Sequence, residues 1–200
     1  MGIFTFNSPF MAFLTKAVNY MLLNLLALVC CVPVITVGAS MTAKYYVALK
    51  MARGEEPTIL KPFFKAFKEN FKKATIIWLI ELAVMVLFIF DWHYIMQLEL
   101  DKIGKIIQIA LLVLTIFCTL AGLAVFPLLA RYEMKVLELI KAAFIFAFLH
   151  PFKMLFVAFW FVIPYILCLK YPNWLVGIWP VVTIVGLLYN SGMFMREFKK

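Results

Sequence analysis

Long apolar stretches alternate with short polar stretches along the chain, and this pattern predicts a polytopic bundle of membrane-spanning helices. An apolar run of about 20 residues is long enough to cross the hydrocarbon core of a bilayer as a helix. Five such runs are present, so we predict an all-α fold with a single integral membrane domain over residues 1–200. The predicted spans are about 17–37, 74–94, 106–128, 152–169 and 174–194.

Pro33 interrupts the first apolar run and marks where its helix should kink or end. Proline lacks a backbone N–H, and its ring crowds the carbonyl group four residues earlier, here that of Val29. The hydroxyl group of Thr36 is placed to satisfy a carbonyl group freed nearby. The small residues 38–40 then predict a turn into the first of two connectors, which cover about 38–73 and 129–151.

The end of the first connector carries cationic and aromatic residues at helical spacing, directly before the second span. Four lysines, here called the lysine stripe, recur at intervals of 4, 3 and 4 residues. This spacing keeps them within about 60° on a helix of 3.6 residues per turn, beside an arc of phenylalanines. We expect an amphipathic helix lying on the anionic inner leaflet, with its rings among the headgroups. The residues predicted to contact lipid or a partner are Lys61, Lys65, Lys68, Lys72, Phe64, Phe67 and Phe71.

The lysine stripe has two interpretations that the sequence leaves open. One is an anchor that sets the membrane topology, and the other is a docking face for an acidic partner. The distribution of the 19 Lys and Arg residues bears on the first, because with five alternating spans 15 of them fall on one side. The positive-inside rule then puts both connectors and the C-terminus in the cytoplasm and the N-terminus outside. A first hairpin that fails to cross would change this count.

Composition agrees with a membrane protein and excludes several functions. Hydrophobic residues make up 66% of the chain and charged residues 14%, against about 25% charged residues in soluble domains. The spans leave no room for a soluble catalytic domain, and the sequence contains no phosphate-binding loop, dinucleotide fingerprint, zinc motif or nucleophile elbow. We therefore predict a non-enzymatic protein without a cofactor or metal. Topology explains the net charge of +9, so nucleic acid is not an expected partner.

Glu81 is the candidate functional residue within the membrane, because it lies inside the second predicted span. A bare carboxylate is costly in hydrocarbon, so this group should be neutral or paired inside the bundle. The candidate partners within the apolar runs are Asn24, Thr115, Thr119, Thr183 and Asn190. Glu81 and Asn24 form our candidate intramembrane polar site. A proton or cation site and a protonated structural hydrogen bond between helices both fit this arrangement.

A short sequence repeat predicts two similar units. Lys65-Ala-Phe followed by Asn70-Phe-Lys precedes the second span, and Lys141-Ala-Ala-Phe followed by Pro151-Phe-Lys precedes the fourth. Both units would enter and leave on the cytoplasmic side. The symmetry axis of a parallel repeat of this kind stands along the membrane normal.

Four segments of the first half of the chain carry a family resemblance: Asn24-Leu-Leu, Cys31-Val-Pro-Val-Ile-Thr-Val-Gly-Ala-Ser, Tyr45-Tyr46 and Phe64-Lys-Ala-Phe-Lys-Glu-Asn-Phe-Lys-Lys-Ala. Together they resemble the YesL-like family of bacterial multi-pass membrane proteins, long known as a domain of unknown function. The resemblance implies a cell-membrane protein of the kind often encoded beside carbohydrate ABC importers, glycoside-degrading enzymes and two-component sensors. It implies no catalytic or ligand residues.

Two functional hypotheses follow from these observations. The first is an accessory or regulatory integral membrane protein associated with carbohydrate ABC import or its sensing. Its basic connector would contact permease subunits of an ABC importer or a membrane sensor kinase. The alternative is a small solute or ion transporter or channel that uses Glu81. Prolines near or within four of the five spans favour the alternative, because broken helices commonly line transport sites.

Overall fold

The structure is a computed structural model that describes residues 9–55, 58–97, 102–170 and 178–197. These residues form α-helices and one short 3₁₀ helix, without a strand among them, which confirms the predicted all-α membrane bundle. The helices are α1 (Pro9–Cys30), α2 (Val37–Ala52), α3 (Leu60–Met96), α4 (Lys102–Arg131), α5 (Val136–Leu149), α6 (Pro151–Lys170) and α7 (Ile178–Glu197), with the 3₁₀ helix at Val34–Thr36.

Two of these helices are long and apolar enough to cross a membrane, over Leu60–Ile95 in α3 and Gly104–Arg131 in α4. α5 and the first part of α6 meet the same standard together, but the chain bends by 101° between them. They therefore form either a broken span or a re-entrant loop. The apolar part of α1, Leu14–Cys30, is shorter than the roughly 20 residues that a span needs. The predicted fifth span begins at residues 174–177, which lie outside the described residues.

The predicted break at Pro33 is confirmed. α1 ends at Cys30, and the chain bends before the 3₁₀ helix. The Thr36 hydroxyl group lies 2.6 Å from the carbonyl oxygen of Cys30 and 2.7 Å from that of Pro33. A hydroxyl group has one hydrogen to donate, so these two acceptors share it. The side chain after the break thus stabilises the end of α1, as its position in the sequence predicts.

The turn predicted at residues 38–40 is wrong, because these small residues begin α2 and are buried there. α2 is the central helix of the described residues and packs most extensively against α3, with further contacts to α4, α1 and α7. A Cβ atom on Gly38 would overlap the carbonyl oxygen of Ala74. Small side chains serve here to bring two helix backbones together rather than to bend the chain.

α3 joins the lysine stripe to the second predicted span in a single helix of 37 residues. At 1.5 Å per residue this helix is about 55 Å long, whereas the hydrocarbon core is about 30 Å thick. A helix of this length that stands upright across a bilayer would extend roughly 25 Å beyond the hydrocarbon, and the exposed lysines lie near its first end, which suits that position. The basic segment is therefore not a separate helix, because α3 runs without a break from Leu60 to Met96, and no Gly or Pro interrupts residues 63–96. Its contact with the inner leaflet stays a prediction.

Most prolines in the predicted spans do not break a helix. Pro127, predicted to end the third span, lies inside α4, which continues to Arg131. α6 continues through Pro164, and Pro180 lies within α7. Helix breaks therefore lie at Pro33 and before Pro151 rather than at these three prolines.

The buried core lies around α2, while the far halves of α3 and α4 expose apolar side chains. Phe90 is 68% exposed and Ile106 is 66% exposed, each within a long exposed apolar surface. Extended apolar surface of this kind marks contact with a membrane or a partner. α3 therefore has a packed, basic end and an apolar end suited to lipid.

α1 and α2 run antiparallel as a hairpin. The Tyr20 hydroxyl group lies 3.5 Å from the carbonyl oxygen of Ala48, and the Ser40 hydroxyl group donates to the carbonyl oxygen of Ala27 at 2.7 Å. The start of α1 is thus directed toward the same end as the end of α2.

The two units of the predicted repeat differ in shape at their matched sequences. Asn70-Phe-Lys lies inside the continuous helix α3, whereas Pro151-Phe-Lys begins α6 after the bend of 101°. Proline cannot continue α5 without a clash and lacks the N–H that the helix would use. The parallel repeat stays a prediction.

Candidate functional site

Glu81 lies where α3 packs against α4, opposite Gly122. A Cβ atom on Gly122 would lie 3.1 Å from Glu81 Oε1 and 3.2 Å from Glu81 Cδ. The missing side chain of Gly122 thus leaves the space that the carboxyl group occupies. Glu81 Oε1 is buried and has no hydrogen-bond partner in the described part of the chain.

The Glu81 carboxyl group lines a cavity of about 410 Å³ between α2, α3, α4 and α5, here called the Glu81 cavity. This volume lies within the range of roughly 300–1,000 Å³ typical of ligand pockets. Glu81 is the only carboxylic acid among the lining residues that the structure describes, and no Lys, Arg or His lines the cavity with it. Aromatic side chains contribute much of the remaining wall: Tyr45, Trp78, Phe88, Phe126 and Phe144.

Two polar groups near the Glu81 cavity are already hydrogen-bonded to backbone. Trp78 Nε1 donates to the carbonyl oxygen of Val34 at 2.7 Å, and the Thr119 hydroxyl group donates to the carbonyl oxygen of Thr115 at 2.8 Å. Neither donor is therefore available to the Glu81 carboxyl group. The cavity combines an apolar wall with one acidic group that the described residues leave without a hydrogen bond at Oε1.

The structure does not join Asn24 to Glu81. Asn24 Nδ2 and Glu81 Oε1 are both buried, and neither atom has a hydrogen-bond partner among the described residues. α1, which carries Asn24, packs mainly against α2 and α7, and Asn24 is not among the residues that line the Glu81 cavity. Of the two residues in the predicted polar site, only Glu81 therefore contributes to this cavity.

All four members of the lysine stripe are exposed on α3. On the other side of that helix, Phe63 and Ala66 are buried in the core at 0% and 1% exposure. Lys65 Nζ lies 4.0 Å from Glu69 Oε1, whereas Lys61, Lys68 and Lys72 have no ion pair with any described residue. The spacing thus correctly predicts that the four lysines share one side of α3. Packing of α3 against α2 keeps that side exposed.

The phenylalanines beside the lysine stripe divide between surface and core. Phe64 is 51% exposed and Phe71 is 37% exposed, so both are available for contact with lipid or a partner. Phe67 is partly buried and packs between Phe63 and Phe71, with ring centroids 6.2 Å and 5.6 Å away. Sequence spacing alone does not separate Phe63, which is fully buried, from its exposed neighbours.

A buried polar cluster between α1, α2 and α7 was not predicted from the sequence. The Tyr20 hydroxyl group lies 3.5 Å from Ser191 Oγ, and Asn190 lies beside the hydroxyl group of Tyr45. Tyr45 Oη and Asn190 Oδ1 are buried, and neither has a geometrically complete hydrogen bond within the described residues. The available signal was the occurrence of polar residues within apolar runs, which does not reveal which helices meet.

The described residues contain no group of three or more His, Cys, Asp or Glu side chains placed to hold a metal ion. Cys30, Cys31 and Cys118 are free thiols. Cys30 and Cys31 lie where α1 ends, whereas Cys118 lies on α4 and lines the Glu81 cavity.

A protein-family model matches part of the chain. Residues 20–92 match the model of a protein family described as Protein of unknown function, DUF624. The matched region runs from Tyr20 in α1 through α2 to Trp92 in α3, so it includes the lysine stripe and Glu81. It is consistent with the YesL-like resemblance predicted above, although its description does not carry that name. The curated proteins and the solved structures gave no match. Over residues 20–92 the chain is therefore similar to a family whose description assigns no function.

Proposed function

We propose that this chain is a non-enzymatic accessory or regulatory protein of the bacterial plasma membrane, associated with carbohydrate ABC import or its sensing. One observation supports a contact role most directly. The lysine stripe is exposed on a helix whose other side is buried in the core and which continues into a candidate span. The carbohydrate context comes from the YesL-like resemblance.

The proposed partner surface is acidic. Lys61, Lys68 and Lys72 are exposed and have no ion pair with the described residues, so they are available to carboxylates on another protein. A single exposed ion pair contributes only about 0–1 kcal/mol, which means that several lysines must act together. Charge complementarity of this kind contributes mainly to the association rate and to the choice of partner. A permease subunit of an ABC importer or a membrane sensor kinase with an acidic cytoplasmic surface would fit, with anionic headgroups contacting the lysine closest to the membrane.

The test compares two double charge reversals. Lys61→Glu with Lys68→Glu changes the lysine stripe, whereas Lys105→Glu with Lys141→Glu changes two exposed lysines elsewhere by the same total charge. After crosslinking in cells and purification in mild detergent, we expect the permease or sensor subunit to be recovered with the wild type and the control. We expect it to be lost with the stripe variant, together with part of the sugar uptake. Equal recovery and uptake for both variants would contradict the proposed contact.

The proposed orientation places the lysine stripe and the C-terminus in the cytoplasm. The charge count predicts the N-terminus outside if α1 crosses the membrane. The antiparallel α1–α2 hairpin instead favours an N-terminus on the side of the lysine stripe. Cysteine introduced at Gly2 in a chain without its native cysteines distinguishes the two orientations. Labelling by a membrane-impermeant maleimide in intact cells supports the outside position, and labelling only after permeabilisation supports the cytoplasmic one.

A second candidate function is transport of a small solute or ion, and the Glu81 cavity is the observation that favours it. An ionisable residue facing a cavity between membrane helices is a common feature of transport pathways. Flux into proteoliposomes should then fall strongly in Glu81→Gln and remain unchanged in Glu69→Gln, which alters an exposed carboxylate of the same helix. Flux that is insensitive to Glu81→Gln would remove Glu81 from the mechanism.

A further inference from the structure

We propose that the Glu81 cavity binds a hydrophobic monoamine, whose ammonium group pairs with the Glu81 carboxylate. This inference uses the same cavity as the second candidate function, but it concerns binding and does not require movement across the membrane. It is also independent of the lysine stripe, which lies on the exposed surface of α3.

The first argument is charge. Glu81 Oε1 is buried without a hydrogen-bond donor from the described residues, and no Lys, Arg or His lines the cavity beside it. A carboxylate in apolar surroundings is stable only when it is paired or hydrogen-bonded. A ligand that carries one ammonium group would supply both the opposite charge and the missing donors.

The second argument is the composition of the wall. The space of about 410 Å³ is lined largely by aliphatic and aromatic side chains, so a ligand must present hydrocarbon to most of it. Aromatic faces also attract ammonium groups, and Trp78, Phe88 and Phe126 are among the rings that line the cavity. A hydrophobic tail with one terminal amine matches this wall better than a sugar, whose hydroxyl groups would lose hydrogen bonds to water without replacement.

The third argument concerns protons. With the cavity empty, the cost of an unpaired carboxylate favours the protonated acid. When an ammonium ion enters, Glu81 becomes the carboxylate and its proton leaves to solvent, so one proton is released for each cation bound. The other titratable side chains that face the cavity are Tyr45 from α2 and Cys118 from α4. The lining residues from α5 are Ile140 and Phe144, which do not titrate.

The test uses the full chain in nanodiscs of zwitterionic lipid, with empty nanodiscs subtracted for partitioning. Two probes share one chain length: decylamine and decan-1-ol. We expect decylamine to bind saturably and to bind Glu81→Gln about tenfold more weakly or worse, as for loss of a charge-assisted hydrogen bond. Glu69→Gln should bind like the wild type. In weakly buffered solution at a pH where the amine is protonated, the wild type should release about one proton per decylamine bound.

Each result decides the proposal. Decan-1-ol binding as tightly as decylamine, or decylamine binding equally to Glu81→Gln and wild type, would show a lipid-like apolar pocket and overturn it. If Glu81→Gln does not fold, the proton count on the wild type still decides, because binding without proton release contradicts the exchange. Amine binding without any flux would support this inference and reject the transport function. Glu81-dependent flux of another solute without amine binding would reject this inference and support the transport function.

Discussion

The contact of α2 with α3 at Gly38 is so close that one added carbon atom should separate the two helices. In Gly38→Ala, the new Cβ atom would overlap the carbonyl oxygen of Ala74 and lie 2.8 Å from Trp78 Cβ. The second distance is about 0.6 Å shorter than the 3.4 Å at which ordinary contacts begin. Backbone atoms cannot rotate away as the end of a flexible side chain can, so the helices must move apart.

This overlap should lower the free energy of unfolding of Gly38→Ala. Overpacking of a well-packed core costs about 1–3 kcal/mol, and the better helix propensity of alanine offsets up to about 1 kcal/mol of it. A net loss of about 1–2 kcal/mol corresponds to a decrease in melting temperature of roughly 2–8 °C for a chain of this size. The separation should also weaken the hydrogen bond from Trp78 Nε1 to the carbonyl oxygen of Val34, now 2.7 Å long.

Thermal unfolding of the purified protein in detergent, followed by tryptophan fluorescence, measures this effect. Gly192→Ala is the matched control, because Gly192 lies in α7 and a Cβ atom there would meet no atom within 4 Å. We expect the control to melt at or above the wild-type temperature. If Gly38→Ala also melts at or above the wild-type temperature, the backbones of α2 and α3 do not approach as described.

Three further predictions use the same unfolding assay. Phe63→Ala removes a fully buried ring and should cost about 3–5 kcal/mol, whereas Phe64→Ala, half-exposed on the same helix, should cost much less; equal losses would contradict the assigned burial. Thr36→Val removes the hydroxyl group shared by two carbonyl groups after Pro33 and should cost about 1 kcal/mol, so an unchanged melting temperature would remove its capping role. Lys44 is partly buried, and burial of its ammonium group lowers the pKa of Lys44 from 10.5 to about 8. Because the unfolded chain then binds more protons between these values, stability should rise as the pH increases from about 8 toward 10.5. Lys44→Met should raise the melting temperature at pH 7, and its stability should increase less between about pH 8 and 10.5 than that of the wild type. An unaltered pH profile would contradict the lowered pKa of Lys44.

Local signals along the chain predicted several features correctly. Pro33 ends the first helix because proline lacks a backbone N–H, and Thr36 lies close enough in sequence to satisfy the freed carbonyl groups. Lysines four or three residues apart share one side of any α-helix, so the direction of the lysine stripe follows from spacing. The second and third predicted spans likewise lie in α3 and α4, the two described helices that are each long and apolar enough to cross a membrane.

Features that depend on which helices meet could not be predicted in this way. Gly38 suggests flexibility in the sequence, yet the close approach of α3 makes it a buried packing position. Phe63 and Phe64 are neighbouring residues of the same type, and only the contact of Phe63 with the core buries its side chain. The polarity of the sequence separates a basic connector from an apolar span. It does not reveal that one continuous helix, α3, contains both.

At the candidate site, too, some properties of Glu81 follow from the sequence and others only from the packing of the helices. The sequence by itself determined that an acidic group lies within an apolar helix, and hydration energy makes such a group neutral or paired. Only the tertiary structure decided that Gly122 leaves room for its carboxyl group and that Asn24 does not line the cavity with it. Spacing and polarity are properties of one segment, whereas a cavity exists only where side chains from several helices leave space unfilled.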